Sequence, residues 1–244
     1  MYPVSSGFSD HRNGEVICKF LLAKMGFNDA EVAMDVRNEY FRRYHSSMKG
    51  LIVASQEGRL PKPFKEEYLA DWFANECDFA RFLKPNPALR EALLSLRDEA
   101  RLNLVVFSNA PRRYCVNCLR ALGVDDLFED RLVFGVEDVL PACKPEAEAF
   151  EKILAAVGSA PERAVMFEDS MKNVRAARRL GIHTVLVDEG LQDDGAPAPP
   201  QGGEAGLLDD RPCAGDSAVC AVMRHIGEIR ERLPQLWERR FVGR

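Results

Sequence analysis

The stretch AVMFEDSMKNVRAARRLGIHTVLVD, residues 164–188, decides the fold. Ala164–Phe167 is a short apolar run, and Ile182–Val187 is a second one rich in β-branched residues; both read as buried strands. Between them Asn173–Leu180 has helical spacing and stops at Gly181. A strand, a helix of this length and a strand make a βαβ unit, which implies parallel pairing and a right-handed crossover.

The same alternation extends upstream. Leu102–Phe107 (LNLVVF) predicts a strand, Arg112–Leu122 a helix ending at Gly123, Leu132–Phe134 a short strand, and Pro145–Val157 a helix ending at Gly158. Asn86 suits an N-cap and Pro87 the first helical position of the segment carrying Leu89, Leu93, Leu94 and Leu96. The predicted core is a Rossmann-like, doubly wound α/β sheet over residues 86–244. Residues 1–85 read as helices only: Glu15–Met25, Asp29–Tyr44 and Phe64–Phe79, separated by Gly50, Gly58, Pro61 and Pro63. Asp188–Asp216, rich in Gly, Ala, Pro and Asp, predicts a flexible loop. Val219, Val222, Ile226, Ile229 and Leu233 predict a closing amphipathic helix.

Bulk properties exclude some functions. The chain has 244 residues, net charge −5 and 29% charged residues, a balance that argues against a nucleic-acid polymer as partner. No apolar run reaches the roughly 20 residues that span a bilayer, and Met1–Phe8 has neither a basic nor an apolar leader. Seven scattered cysteines fit reduced thiols and a cytoplasmic protein. Cys115 and Cys118, three apart within a predicted helix and without a second such pair, read as helix-face residues.

In parallel α/β sheets ligands bind beyond the carboxyl ends of the strands. Ser108-Asn109 follows the Leu102–Phe107 strand, Lys144 precedes the Pro145 helix, and Glu168-Asp169-Ser170 follows the Ala164–Phe167 strand. A phosphate monoester needs hydrogen-bond donors, a fixed cation, and a Mg2+ ion held by hard carboxylate oxygens. A hydroxyl, a lysine and an acidic pair in this order can supply them, although each alone is an ordinary turn or cap residue.

That order resembles the haloacid dehalogenase (HAD) superfamily. Phe107-Ser108-Asn109 is similar to its second motif, Cys143-Lys144-Pro145 to its third, and Phe167-Glu168-Asp169-Ser170 to its fourth. The resemblance implies phosphate binding by Ser108 and Asn109 and catalytic roles for Ser108 and for Lys144, which balances charge. It further implies Mg2+ ligation by Asp169 directly and by Glu168 directly or through water. Tyr2–Phe8, Met48–Leu51, Leu83–Pro87, Val106–Ala110 and Leu233–Trp237 resemble the pyrimidine 5′-nucleotidase-like branch. Residues 1–85 would then be a helical cap, the substrate a small phosphate ester such as a nucleoside monophosphate, and the assembly a monomer or homodimer.

One motif is absent. The family's nucleophile lies in Asp-x-Asp at the end of the first, central strand, and the chain contains no Asp-x-Asp. Met1-Tyr2 stands just past where that motif would end. Two readings stay open: a working phosphatase lacking its N-terminal strand, or a non-catalytic phosphate- or partner-binding protein. The intact second, third and fourth motifs favour the first. Either way the expectation is a sheet without its first central strand and a chain without turnover.

Overall fold

The computed structural model describes residues 2–190 and 214–238. Most of the predicted loop, residues 191–213, lies outside the described residues. In chain order the helices are α1 (Phe8–His11), α2 (Ile17–Ala23), α3 (Ala30–Tyr44), α4 (Ser47–Gln56), α5 (Glu66–Glu76), α6 (Phe79–Phe82), α7 (Pro87–Leu94), α8 (Arg112–Ala121), α9 (Ala147–Val157), α10 (Met171–Arg179) and α11 (Ile229–Arg232). The strands are β1 (Val106–Phe107), β2 (Val133–Phe134), β3 (Val165–Glu168), β4 (His183–Val187) and β5 (Ala221–Met223).

The chain forms two units, residues 1–86 with 105–144, and residues 87–104 with 145–244. In the first unit the helices are fixed by local chemistry and then by packing. Asp29 caps α3, accepting hydrogen bonds from the Glu31 and Val32 amides at 2.8 and 3.0 Å. Ser46 caps α4 by accepting from the Lys49 amide. Gly50 lets α4 approach α3 closely, since a Cβ there would stand 3.2 Å from Tyr40 Cβ. Tyr40, Phe20, Leu21, Met48, Leu51 and Leu69 are buried between the helices. Side chains also tie distant elements: Trp72 Nε1 donates to the Val16 carbonyl and Asn117 Nδ2 to the Ala74 carbonyl. β1 and β2 pair in parallel, Val106 opposite Val133 and Phe107 opposite Phe134.

The second unit holds a three-stranded parallel sheet, in the order β3-β4-β5. Successive residues of β4 point to opposite faces. Val185 enters a cluster with Ala92, Leu96, Met223, Ile229, Leu233 and Leu236, while Leu186 enters another with Met171, Val174 and Ala218. Apolar cover on both faces is the doubly wound pattern expected of a parallel sheet.

Two expectations are corrected. The predicted strand Leu102–Phe107 shrinks to Val106–Phe107, because Leu102 and Leu104 turn into the second unit's core against Leu96 and its neighbours. The predicted closing helix from Val219 begins instead as β5. The Cys220 amide donates to the Thr184 carbonyl and the Asp188 amide to the Met223 carbonyl, so this segment completes the ladder beside β4. Buried backbone groups of β4 outweigh a weak helical pattern of valines, which favour strands. Helical turns follow only from Ile226. Among the described residues no helix is long and apolar enough to cross a membrane.

Candidate active site

Ser108 stands where β1 ends. Its amide extends the ladder by donating to the Phe134 carbonyl at 3.1 Å. Its Oγ accepts from the Ala110 amide at 3.1 Å, which bends the chain into Pro111 and the start of α8. The loop after β2 supports this bend. The Val136 amide donates to the Ala110 carbonyl, and the Arg112 amide donates to Glu137 Oε1 at 2.8 Å.

Cys115, one turn into α8, senses the charges around Ser108. Burial pushes its thiol up to about 11, against the pull of the Ser108 hydroxyl and of the positive charges of Arg12 and Lys144. It therefore stays a neutral thiol at ordinary pH. Cys118, on the same helix, is also buried and unbridged. Arg12 is half-buried over the Tyr114 ring, 5.2 Å from its centroid.

Lys144 is only 7% exposed. Its Nζ donates to the Phe107 carbonyl at 3.2 Å and lies 5.1 Å from the Phe107 ring centroid, which places the ammonium at the end of β1 beside Ser108. Asn109 joins the two loops: Oδ1 accepts from the Lys144 amide at 2.9 Å, and Nδ2 donates to the Lys144 carbonyl at 2.8 Å. Ser108, Asn109 and Lys144, separate in sequence, are thus brought together in the first unit.

Glu168 and Asp169 belong to the second unit, at the end of β3. Glu168 is buried and in register with Leu186 of β4. Its Oε1 accepts from the Asp169 and Ser170 amides at 3.2 and 3.3 Å, closing a tight acidic turn ahead of α10. Asp169 is an exposed residue. Desolvation, then the hydrogen bond and repulsion from Glu168, push its carboxyl up to about 7.

Two adjacent carboxylates that repel one another suit a divalent cation. Mg2+ asks for only one or two protein carboxylates, with water and substrate oxygens completing its shell, so Glu168 and Asp169 fit that ion. Among the described residues no group of three or more His, Cys, Asp or Glu is placed to hold a metal. A cage made wholly of protein ligands is therefore not what these residues form.

The raised Asp169 carboxyl makes a prediction for the metal-free protein. Between about pH 4 and 7 the native carboxyl keeps a proton that the unfolded chain, titrating near 3.8, has released. Stability contributed in this way is present at low pH and is lost as pH rises through 7. Solvent access screens the effect to about 1 kcal/mol. Urea unfolding in chelator at pH 5 and 7.5 should show that difference, and Asp169→Asn should remove it. An unchanged pH slope in the variant would sink the assignment.

Sequence reading missed His45 and Ser46. His45 carries a carbonyl that accepts from Asn109 Nδ2, and Ser46 Oγ donates to the Asn109 carbonyl. Neither interaction has a motif to betray it. The one available signal was Ser46 as a helix cap directly before the Met48–Leu51 segment.

Parallel strands covered by helices, with a hydroxyl and a buried lysine after one strand and an acidic turn after another, define a Rossmann-type α/β protein. The sequence profile of haloacid dehalogenase-like hydrolases matches residues 4–181, and the chain belongs to that family. Its fold is similar to that of L-2-haloacid dehalogenase from Xanthobacter autotrophicus with chloropropionic acid covalently bound. The TM-score is 0.53 at 18% identity, covering 90% of this chain and 91% of that one. In sequence it is 36% identical over 107 residues to a phosphorylated carbohydrates phosphatase of Thermotoga maritima, covering 44% of this chain and 48% of that protein. It is 27% identical over 181 residues to phosphate metabolism protein 8 of Saccharomyces cerevisiae, covering 70% and 53%. It is 33% identical over 141 residues to a phosphoglycolate phosphatase of Caulobacter vibrioides, covering 58% and 55%. The chain spans about half the length of the curated relatives it matches.

Proposed function

We propose that this chain carries the phosphate- and Mg2+-binding parts of a HAD-type phosphomonoesterase of the cytoplasm, with a nucleoside monophosphate as substrate, in the manner of pyrimidine 5′-nucleotidases. Residues 1–85 act as the helical cap that selects the substrate, and residues 86–244 as the core. Ser108 Oγ and neighbouring amides bind the phosphate oxygens. Lys144 balances their charge. Glu168 and Asp169 hold Mg2+, which when bound would supply Lewis-acid charge neutralisation to phosphoryl oxygens.

The observation that carries this reading is Lys144: an ammonium almost wholly buried, fixed beside Ser108 by the Phe107 carbonyl and by the Asn109 bridge. A buried cation is costly unless it serves an anion or a tight network. Names of relatives lend support, since two of them are phosphatases of small phosphorylated compounds.

Without an Asp-x-Asp, no carboxylate in the sequence answers to the family's nucleophile and its acid–base partner. The 244-residue chain should therefore bind phosphate without turnover. The test is calorimetric titration with inorganic phosphate in Mg2+, beside an assay of phosphate release from UMP. Expected are measurable phosphate binding, about a hundredfold weaker in Lys144→Met, and no release. Lys144→Arg, keeping the charge, should lose less. Brisk phosphate release would overturn the loss of catalysis; wild-type phosphate affinity in Lys144→Met would overturn the site.

A further inference from the structure

We infer that Asn109 is a positioning residue, whose carboxamide couples the Tyr44–Ser46 loop to the lysine of the phosphate site. The ligand of that lysine rests on the reading proposed above; the coupling itself does not.

A carboxamide offers two N–H donors and one oxygen acceptor. In Asn109 all are engaged by backbone. Nδ2 donates to the His45 carbonyl at 3.2 Å and to the Lys144 carbonyl at 2.8 Å, while Oδ1 accepts from the Lys144 amide at 2.9 Å. The side chain therefore has no donor hydrogen left for a phosphate oxygen. It spans two segments that lie 64 and 35 residues away in sequence.

The loop on the other side is tied at each of its residues. The Cys143 thiol donates to the Tyr44 carbonyl at 3.3 Å, His45 receives Asn109, and buried Ser46 donates from Oγ to the Asn109 carbonyl at 3.4 Å. His45 is the junction and adopts a left-handed conformation with φ of 52°. A residue with a side chain stays there only where its surroundings hold it. The loop also joins α3 to α4, which pack closely at Gly50. A shift of this helical pair thus pulls on Asn109 and, through it, on both backbone groups of Lys144.

Coupling of this kind is reciprocal: an anion that fixes Lys144 also steadies the loop. The probe is inorganic phosphate on the purified 244-residue protein, read by hydrogen exchange of residues 44–49 and by titration calorimetry. In the wild type, phosphate should slow exchange in this loop by about fivefold. Asn109→Ala removes all three carboxamide bonds. Asn109→Asp keeps the acceptor for the Lys144 amide but sets a carboxylate against the His45 and Lys144 carbonyls. Both variants should speed loop exchange without phosphate, abolish the slowing by phosphate, and weaken phosphate binding about tenfold.

A folded variant with wild-type loop exchange, or one that keeps the phosphate-dependent slowing, overturns the proposal. Should neither variant fold, the wild type decides: phosphate binding with no slowing at 44–49 overturns it. If the wild type binds no phosphate, the phosphate-site reading fails instead. The loop exchange of the unliganded variants then still supports or overturns the positioning role.

Discussion

Replacing Gly135 with alanine is expected to destabilise the protein by about 3 kcal/mol, near the upper end for overpacking. Gly135 follows β2 directly, and its backbone lies against the start of α8. A Cβ there would stand 2.3 Å from the Arg112 amide nitrogen and 2.8 Å from Arg112 Cα. Backbone atoms cannot swing aside as a flexible side chain does, so one segment must move. The segments concerned are those that shape the Ser108 bend, through the amides of Ser108 and Val136 and the Arg112–Glu137 hydrogen bond. Gly135→Ala should thus also weaken phosphate binding. Urea unfolding gives the stability change as a lowered midpoint at unchanged slope. Gly158 is the control. It ends α9 at φ 63° with nothing within 4 Å of its Cβ position, so alanine there costs only the left-handed backbone, about 1–2 kcal/mol. Equal effects at the two glycines would show that space at Gly135 is not the cause.

The second large effect is expected at Phe8. Its ring is fully buried and surrounded by aromatic rings: Tyr2 at 5.1 Å between centroids, Phe79 at 5.3 Å, Tyr114 stacked at 5.7 Å and Phe82 at 5.9 Å. Truncation to alanine removes the buried surface and leaves a cavity, at a cost of about 3–5 kcal/mol. Phe8→Leu, closer in volume, should cost about 1 kcal/mol. The site should feel the change as well, because Tyr114 lies on α8 just after the Ser108 bend and hydrogen-bonds the Tyr2 hydroxyl at 2.7 Å. Chemical denaturation of both variants measures the difference. A Phe8→Ala loss under 1 kcal/mol would show that this end of the chain is not part of the core.

Much of the fold was legible because burial on both faces leaves a continuous apolar run. Ala164–Phe167 and Ile182–Val187 announced β3 and β4, and Gly158 and Gly181 marked the helix ends. β5 was not legible. Val219 and Val222 stand three apart, a helical spacing, while β5 covers only Ala221–Met223, too short to show a two-residue period, and only the demand of β4 for a partner resolves it. The short extent of β1 was hidden for a related reason. An apolar run shows that leucines are buried, but not that Leu102 and Leu104 join a different core from Val106.

By itself the sequence determined a parallel α/β protein, a lysine and a hydroxyl behind one pair of strands, and an acidic pair behind another strand. Such features follow from local periodicity and from which residues succeed a strand, and both are written along the chain. Tertiary structure alone decided that Lys144 is buried against the Phe107 carbonyl, and that the Asn109 carboxamide is spent on His45 and Lys144. Those bonds join residues dozens of positions apart. No periodicity records them, and they form only where folding takes the carbonyls of His45 and Lys144 out of water and leaves each in need of a donor.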